Sequence, residues 1–172
     1  MTLYALGEHH PQIHPDAFVH PDAVVIGAVT VGAESTVWPS AVLRGDHGSI
    51  RVGARTSVQD GAVLHATAHL DTWVGDDCVI GHLAHLEGCT VEDGCLVGSG
   101  AIVLHRAVVR SGALVAAGAV VTNDLEVPAA AMALGVPARI RPDSVAPGTF
   151  AESVAAYVAS GHRYRAELRR LD

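Results

Sequence analysis

The sequence predicts an all-β fold, a parallel β-helix of short stacked coils followed by a C-terminal α-helix, and three observations predict it. Aliphatic residues recur every six positions, and a small residue stands two places before most of them. Rings are scarce, at 4% of a 172-residue chain that is 49% hydrophobic, so the core must be built from Val, Ala, Leu and Ile. That palette suits thin stacked layers, and the many valines and eighteen glycines disfavour an all-helical chain.

The first element is the repeat itself. It runs through Ile13, Val19, Val25, Val31, Val37 and Leu43, breaks at the loop 45–49, and resumes at Val52, Val58 and Leu64. It slips over the polar stretch 67–71, returns at Val74, Ile80 and Leu86, and loses one residue. From Val91 it continues through Val97, Val103, Val109, Val115 and Val121 to Val127. A period of six is neither helical nor a hairpin pattern. It is three two-residue steps, in which positions i and i−2 face inward on a short strand before a corner. Three such strands close a triangular coil, and successive coils stack about 4.8 Å apart. The anchors count out about six turns over residues 1–128. Cys78, Cys89 and Cys95 fall on the inward small positions that Ala fills elsewhere, and none has CxxC spacing. They read as core filler, with Cys78 and Cys95 stacked in neighbouring coils.

Residues 129–147 carry Pro137, Pro142 and Pro147 and read as an extended connection. Residues 148–172 place Phe150, Val154, Tyr157, Val158, Leu168 and Leu171 at helical spacing, with Gly161 as a point of interruption and arginines in the last turn. This helix is expected to cover an apolar outer face of the coils and to carry no chemistry.

A formal charge of −7 argues against nucleic acid as a partner. The start has no basic, apolar leader, and no window approaches 18 unbroken apolar residues. The expectation is a cytoplasmic protein with neither nucleic-acid nor membrane partners.

Chemistry concentrates in 80-IGHLAHLEGC-89. His65 follows the inward Leu64 and Glu87 follows the inward Leu86, three repeats later. Three repeats make one coil, so His65 and Glu87 stack on one face, about 5 Å apart in backbone, a separation suited to sharing one metal. His82 lies at the opposite end of the strand leading to Glu87. Five strand residues span roughly 16 Å, whereas metal–ligand bonds are about 2 Å long. His82 therefore reaches such a metal only from a second copy, which predicts a homotrimer with three interface sites. Arg44 and Asp46 in 43-LRGDHGS-49, and Gln59 and Asp60 in 58-VQDGAVLH-65, flank the donors and suit an interface.

In 38-WPSAVLRGD-46, 58-VQDGAVLH-65, 79-VIGH-82, 88-GC-89 and 135-GVPARIR-141, the chain resembles the gamma class of carbonic anhydrases and their hexapeptide-repeat relatives. The resemblance spans about Pro11 to Arg141. It implies a left-handed β-helix, a homotrimer, and zinc bound between subunits by His65, His82 and position 87. The family has His at that third position, and this chain has Glu87. Arg44, Asp46, Gln59 and Asp60 match residues that order the family's interface and metal-bound solvent. The acidic proton-shuttle residues of the family have no clear counterpart.

Two His and one carboxylate are still a catalytic zinc set, and they suit ferrous iron or cobalt as well. The carboxylate's charge weakens the metal's pull on bound water, so the resemblance implies slow, pH-shifted hydration of CO2 to bicarbonate. His85 stands open between three roles: third ligand in place of Glu87, proton relay, or exposed surface histidine. Two other functions compete. One is acyl transfer from coenzyme A, for which His105 is the repeat-phased candidate base. The other is a non-catalytic trimer that a metal holds together.

Overall fold

The computed structural model describes residues Thr2–Asp172 and shows a left-handed parallel β-helix with one C-terminal helix. Its first wall stacks strands Thr2–Tyr4, the start of Val24–Val31, the start of Val42–Val52, Val63–His65, His85–Glu87, Ile102–Val103 and Val120–Val121. The second wall stacks Gln12–Ile13, the ends of the same two long strands, Thr72–Val74, Thr90–Val91, Val108–Val109 and Glu126–Val127. A third wall stacks Phe18–Val19, Thr36–Val37, Ser57–Val58, Val79–Ile80, Leu96–Val97, Leu114–Val115 and Met132–Leu134.

Each predicted anchor occupies its inward place. On the first wall Val25, Leu43, Leu64, Leu86, Val103 and Val121 form one buried column. The small residues two places earlier are equally buried, because the interior of a narrow triangle has room for one branched side chain and one methyl per step. Cys78, Cys89 and Cys95 are buried free thiols at those small positions, and Val79 pairs with Leu96 just beyond the first and third. Burial pushes the Cys89 thiol up to about 12, which makes it inert.

Three expectations are corrected. The coil has about seven turns rather than about six, because Leu3 pairs with Val25 below the first repeat and Ala133 pairs with Val115 above the last. Residues 129–147 are therefore not a plain connection. Met132–Leu134 completes a coil, and Arg139–Arg141 turns back to pair with it antiparallel, which caps the solenoid's open end.

The helix spans Ala151–Glu167 without interruption, and the arginines at 169 and 170 lie beyond it. Gly161 is a contact point: a Cβ there would stand 2.7 Å from Thr36 Cγ2. Four of the chain's seven rings, Phe18, Trp38, Tyr157 and Tyr164, gather along this seam. Trp38 packs edge-on to Tyr164 at 5.0 Å and to Tyr157 at 6.1 Å, while its Nε1 donates to Ser57 Oγ at 2.9 Å. Phe18 joins them at 5.7 Å from Trp38. The helix thus lies on the third wall and leaves the edge between the first two walls open. Among the described residues no helix is long and apolar enough to cross a membrane.

Candidate functional site

The edge between the first and second walls carries the candidate site. His65 ends strand Val63–His65, Glu87 ends His85–Glu87, and the register pairs Arg44 with His65 and His65 with Glu87. The stacking that follows from the spacing is thus present in atoms: His65 Nδ1 and Glu87 Oε1 hydrogen-bond at 2.9 Å. The ring's other nitrogen, Nε2, lies 3.3 Å from Asp46 Oδ1. Arg44 Nη1 donates to Asp46 Oδ2, and His47 Nδ1 stands 3.2 Å from Asp46 Oδ1. Both carboxylates and His65 are largely buried.

Glu87 is the hub. His85 Nε2 reaches its Oε2 at 3.2 Å, and His105 Nε2 lies 3.6 Å from its Oε1. Among the described residues, His105 Nε2 is the buried side-chain nitrogen or oxygen with no hydrogen-bond partner. It comes this close because Gly88, at φ +57°, has no side chain: a Cβ there would meet Leu70 Cβ at 2.9 Å and His105 Cδ2 at 3.1 Å. The buried Thr72 hydroxyl ties the edge together by donating to the His65 carbonyl at 2.6 Å and accepting from the Gly88 N–H at 2.8 Å.

The electrostatics follow from these contacts. Burial works to raise the Asp46 carboxyl, but hydrogen bonds from Arg44 and His47 outweigh it and bring the group down to about 2. Glu87 is likewise lowered, burial opposing and the hydrogen bonds from His65 and His85 prevailing. Both are firmly ionised at neutral pH.

The other predicted residues lie elsewhere. His82 sits at the edge between the third and first walls, where its Nδ1 pairs with Asp60 Oδ2 at 3.0 Å, and the buried Gln59 precedes that corner. One chain therefore brings together Arg44, Asp46, His65, His85 and Glu87, and keeps Gln59, Asp60 and His82 apart from them. As donors, His65 and Glu87 fit two positions of a zinc site whose third ligand would be His82 of a second copy. Among the described residues of one chain the compact donor set is different: Asp46, His47 and His65 offer atoms within 4.8 Å of one another.

Sequence reasoning gave His47 no role and placed His105 outside the cluster. His47 lies in the loop where the repeat breaks. His105 lies two positions past its anchor Val103, whereas Glu87 lies one past Leu86, and the missing residue after Leu86 is what reconciles the two. A groove of about 800 Å³ under the helix, lined by Gly94, Gly112, Val145, Phe150 and Val154, follows the third edge. It is mostly apolar, with Arg55, Asp77 and His162 also on its lining, and it lies on a different edge from the His65–Glu87 cluster.

A β-helix whose open prism edge gathers imidazoles and carboxylates is the class that fold and site define. The family model of the bacterial transferase hexapeptide, six repeats, matches residues 10–45 and 71–103. A Bacillus cereus protein, product of the BC4754 gene and provisionally an acetyltransferase, shares 30% identity with a TM-score of 0.94, over 97% of this chain and 98% of that one. A hexapeptide transferase family protein from Anaplasma phagocytophilum shares 32% identity with a TM-score of 0.90, over 95% and 98%. The carnitine operon protein CaiE of Escherichia coli (strain SMS-3-5 / SECEC) is 47% identical over 91 residues, 53% of this chain. The match spans less than half of that relative, 46%. The chain belongs to the bacterial hexapeptide-repeat transferase family.

Proposed function

We propose that the chain is an acyltransferase that takes an acyl group from coenzyme A at the Glu87 edge, as a homotrimer with the thioester lying between neighbouring copies. The observation that carries this reading is the buried, unpartnered His105 Nε2 aimed at Glu87 Oε1. A carboxylate that takes the Nε2 proton's side of the ring leaves Nδ1 as the acceptor, which is the arrangement of a general base. His105 Nδ1 takes the proton from an incoming amine or hydroxyl as that group attacks the thioester carbonyl. The carbon–sulfur bond then breaks, and the proton returns to the departing thiolate. The whole-chain likeness to hexapeptide-family transferases supports the same reading.

The test is acetyl-coenzyme A turnover against a panel of small amines and alcohols. Wild type is expected to release free thiol, and H105A is expected to lose about 10²–10⁴-fold in kcat/KM with the trimer intact. Equal turnover by H105A and wild type would remove the proposed base.

A second reading rests on the 2.9 Å stacking of His65 on Glu87. It is hydration of CO2 by water on a metal held by His65, Glu87 and His82 of a second copy, with His85 as the proton relay and Gln59 and Asp60 ordering the interface. Zinc would supply a polarised water there; cobalt or ferrous iron would serve as well. Stopped-flow CO2 hydration that disappears on chelation would favour this reading over acyl transfer.

A further inference from the structure

We propose that Asp46, His47 and His65 of a single chain hold a divalent transition-metal ion, and that Glu87 fixes the His65 ring without ligating the metal. This site is independent of the acyl-transfer reading and replaces the donor set of the hydration reading.

The geometry points here through the two sides of one ring. His65 faces a carboxylate on each nitrogen, Glu87 Oε1 at 2.9 Å from Nδ1 and Asp46 Oδ1 at 3.3 Å from Nε2. A neutral imidazole has one N–H. If it donates to the nearer carboxylate, its lone pair on Nε2 is turned toward an anionic oxygen, which is repulsive unless a cation stands between them. Glu87 also has more claims on it, from His85 and His105, and so is the fixed partner. A carboxylate holding one ring nitrogen of a histidine whose other nitrogen ligates a metal is the usual support for such a ligand.

The remaining donors complete the set. Asp46 Oδ1 stands 3.2 Å from His47 Nδ1 and 3.3 Å from His65 Nε2. Metal–ligand bonds of about 2.0–2.1 Å at tetrahedral angles separate donors by about 3.4 Å. The two spacings about Asp46 therefore suit one ion, and the third pair, His47 and His65, lies within 4.8 Å and closes by rotation of the exposed His47 ring. Arg44 occupies the other oxygen, Asp46 Oδ2, and so leaves Oδ1 for the metal. His47 is exposed, so a fourth position faces solvent and takes water.

The experiment is a titration of chelator-stripped protein with Co2+, followed by its visible absorption, and with Zn2+, followed by bound metal per chain. Wild type is expected to bind one ion per chain. H47A and D46N are expected to lose at least about tenfold in affinity, whereas H82A is expected to bind as wild type. E87Q, whose amide oxygen still accepts from Nδ1, is expected to stay within about tenfold. Loss of binding in H82A with H47A unaffected would place the metal between subunits and overturn the proposal. Failure of wild type to bind either ion would overturn it as well. His47 is exposed, so H47A tests the site without a risk to folding.

Discussion

Glu87 does three things at once: it receives His65, it receives His85, and it faces the unpartnered His105. Its carboxyl is held below its ordinary value of 4.5, and that of Asp46 below 3.8. The sign of the consequence follows from the ionised state being the one the fold prefers. The stabilisation is fully present above the ordinary carboxylate values and is lost as pH falls through the lowered ones. In chelator-stripped protein, wild type is expected to melt higher than E87Q at neutral pH, and the gap is expected to narrow as the solution is acidified below about pH 4. Thermal melts across that range check it; a gap that widens on acidification would contradict the assigned charge. At this scale, the stacking of His65 on Glu87 was legible because both follow anchors one coil apart. His47 and His105 were not, because their positions depend on a loop conformation and on a turn at Gly88 that the repeat does not encode.

At the scale of elements, the six-residue period dictates strand, corner and register together, since i and i−2 must both face a narrow interior. What it does not encode are the pieces without the period. The strand at Thr2–Tyr4 lies outside the rhythm; Ala133 keeps the six-residue step from Val127 but puts a methyl where an aliphatic anchor is read, and the antiparallel cap at Arg139–Arg141 pairs backbone without a periodic signature. The helix was readable as a helix, but its aromatic seam joins Trp38 to residues more than a hundred positions away. Gly161 reads in sequence as a breaker and acts in the fold as the place where the helix touches Thr36. Gly161→Ala improves helix propensity by about 1 kcal/mol, yet its methyl would stand 2.7 Å from Thr36 Cγ2. We expect the contact to prevail, so the variant melts lower than wild type and shows raised protease sensitivity after residue 147. A higher melting temperature would mean that the seam is loose.

For the whole molecule, the three prism edges have separate duties. One gathers the carboxylates and imidazoles, the next carries His82 with Asp60, and the third is lined by an apolar groove beneath the helix. On the proposed reading, a trimer that set the first edge of one copy against the second edge of another would put His82 beside the Glu87 cluster and would give a thioester two walls. Sedimentation is expected to return three chains of 17.7 kDa each, and a monomer at micromolar concentration would undo that arrangement. The family likeness bears on the scaffold and on transfer chemistry in general, whereas the assignment of roles rests on the Glu87 edge.

The most direct measurement is a crystal structure of the protein with coenzyme A. The thiol is expected at the Glu87 edge, within hydrogen-bonding reach of His105 and bordered by a second copy. A cofactor seated instead in the groove under the helix, with the imidazole edge vacant, would contradict it.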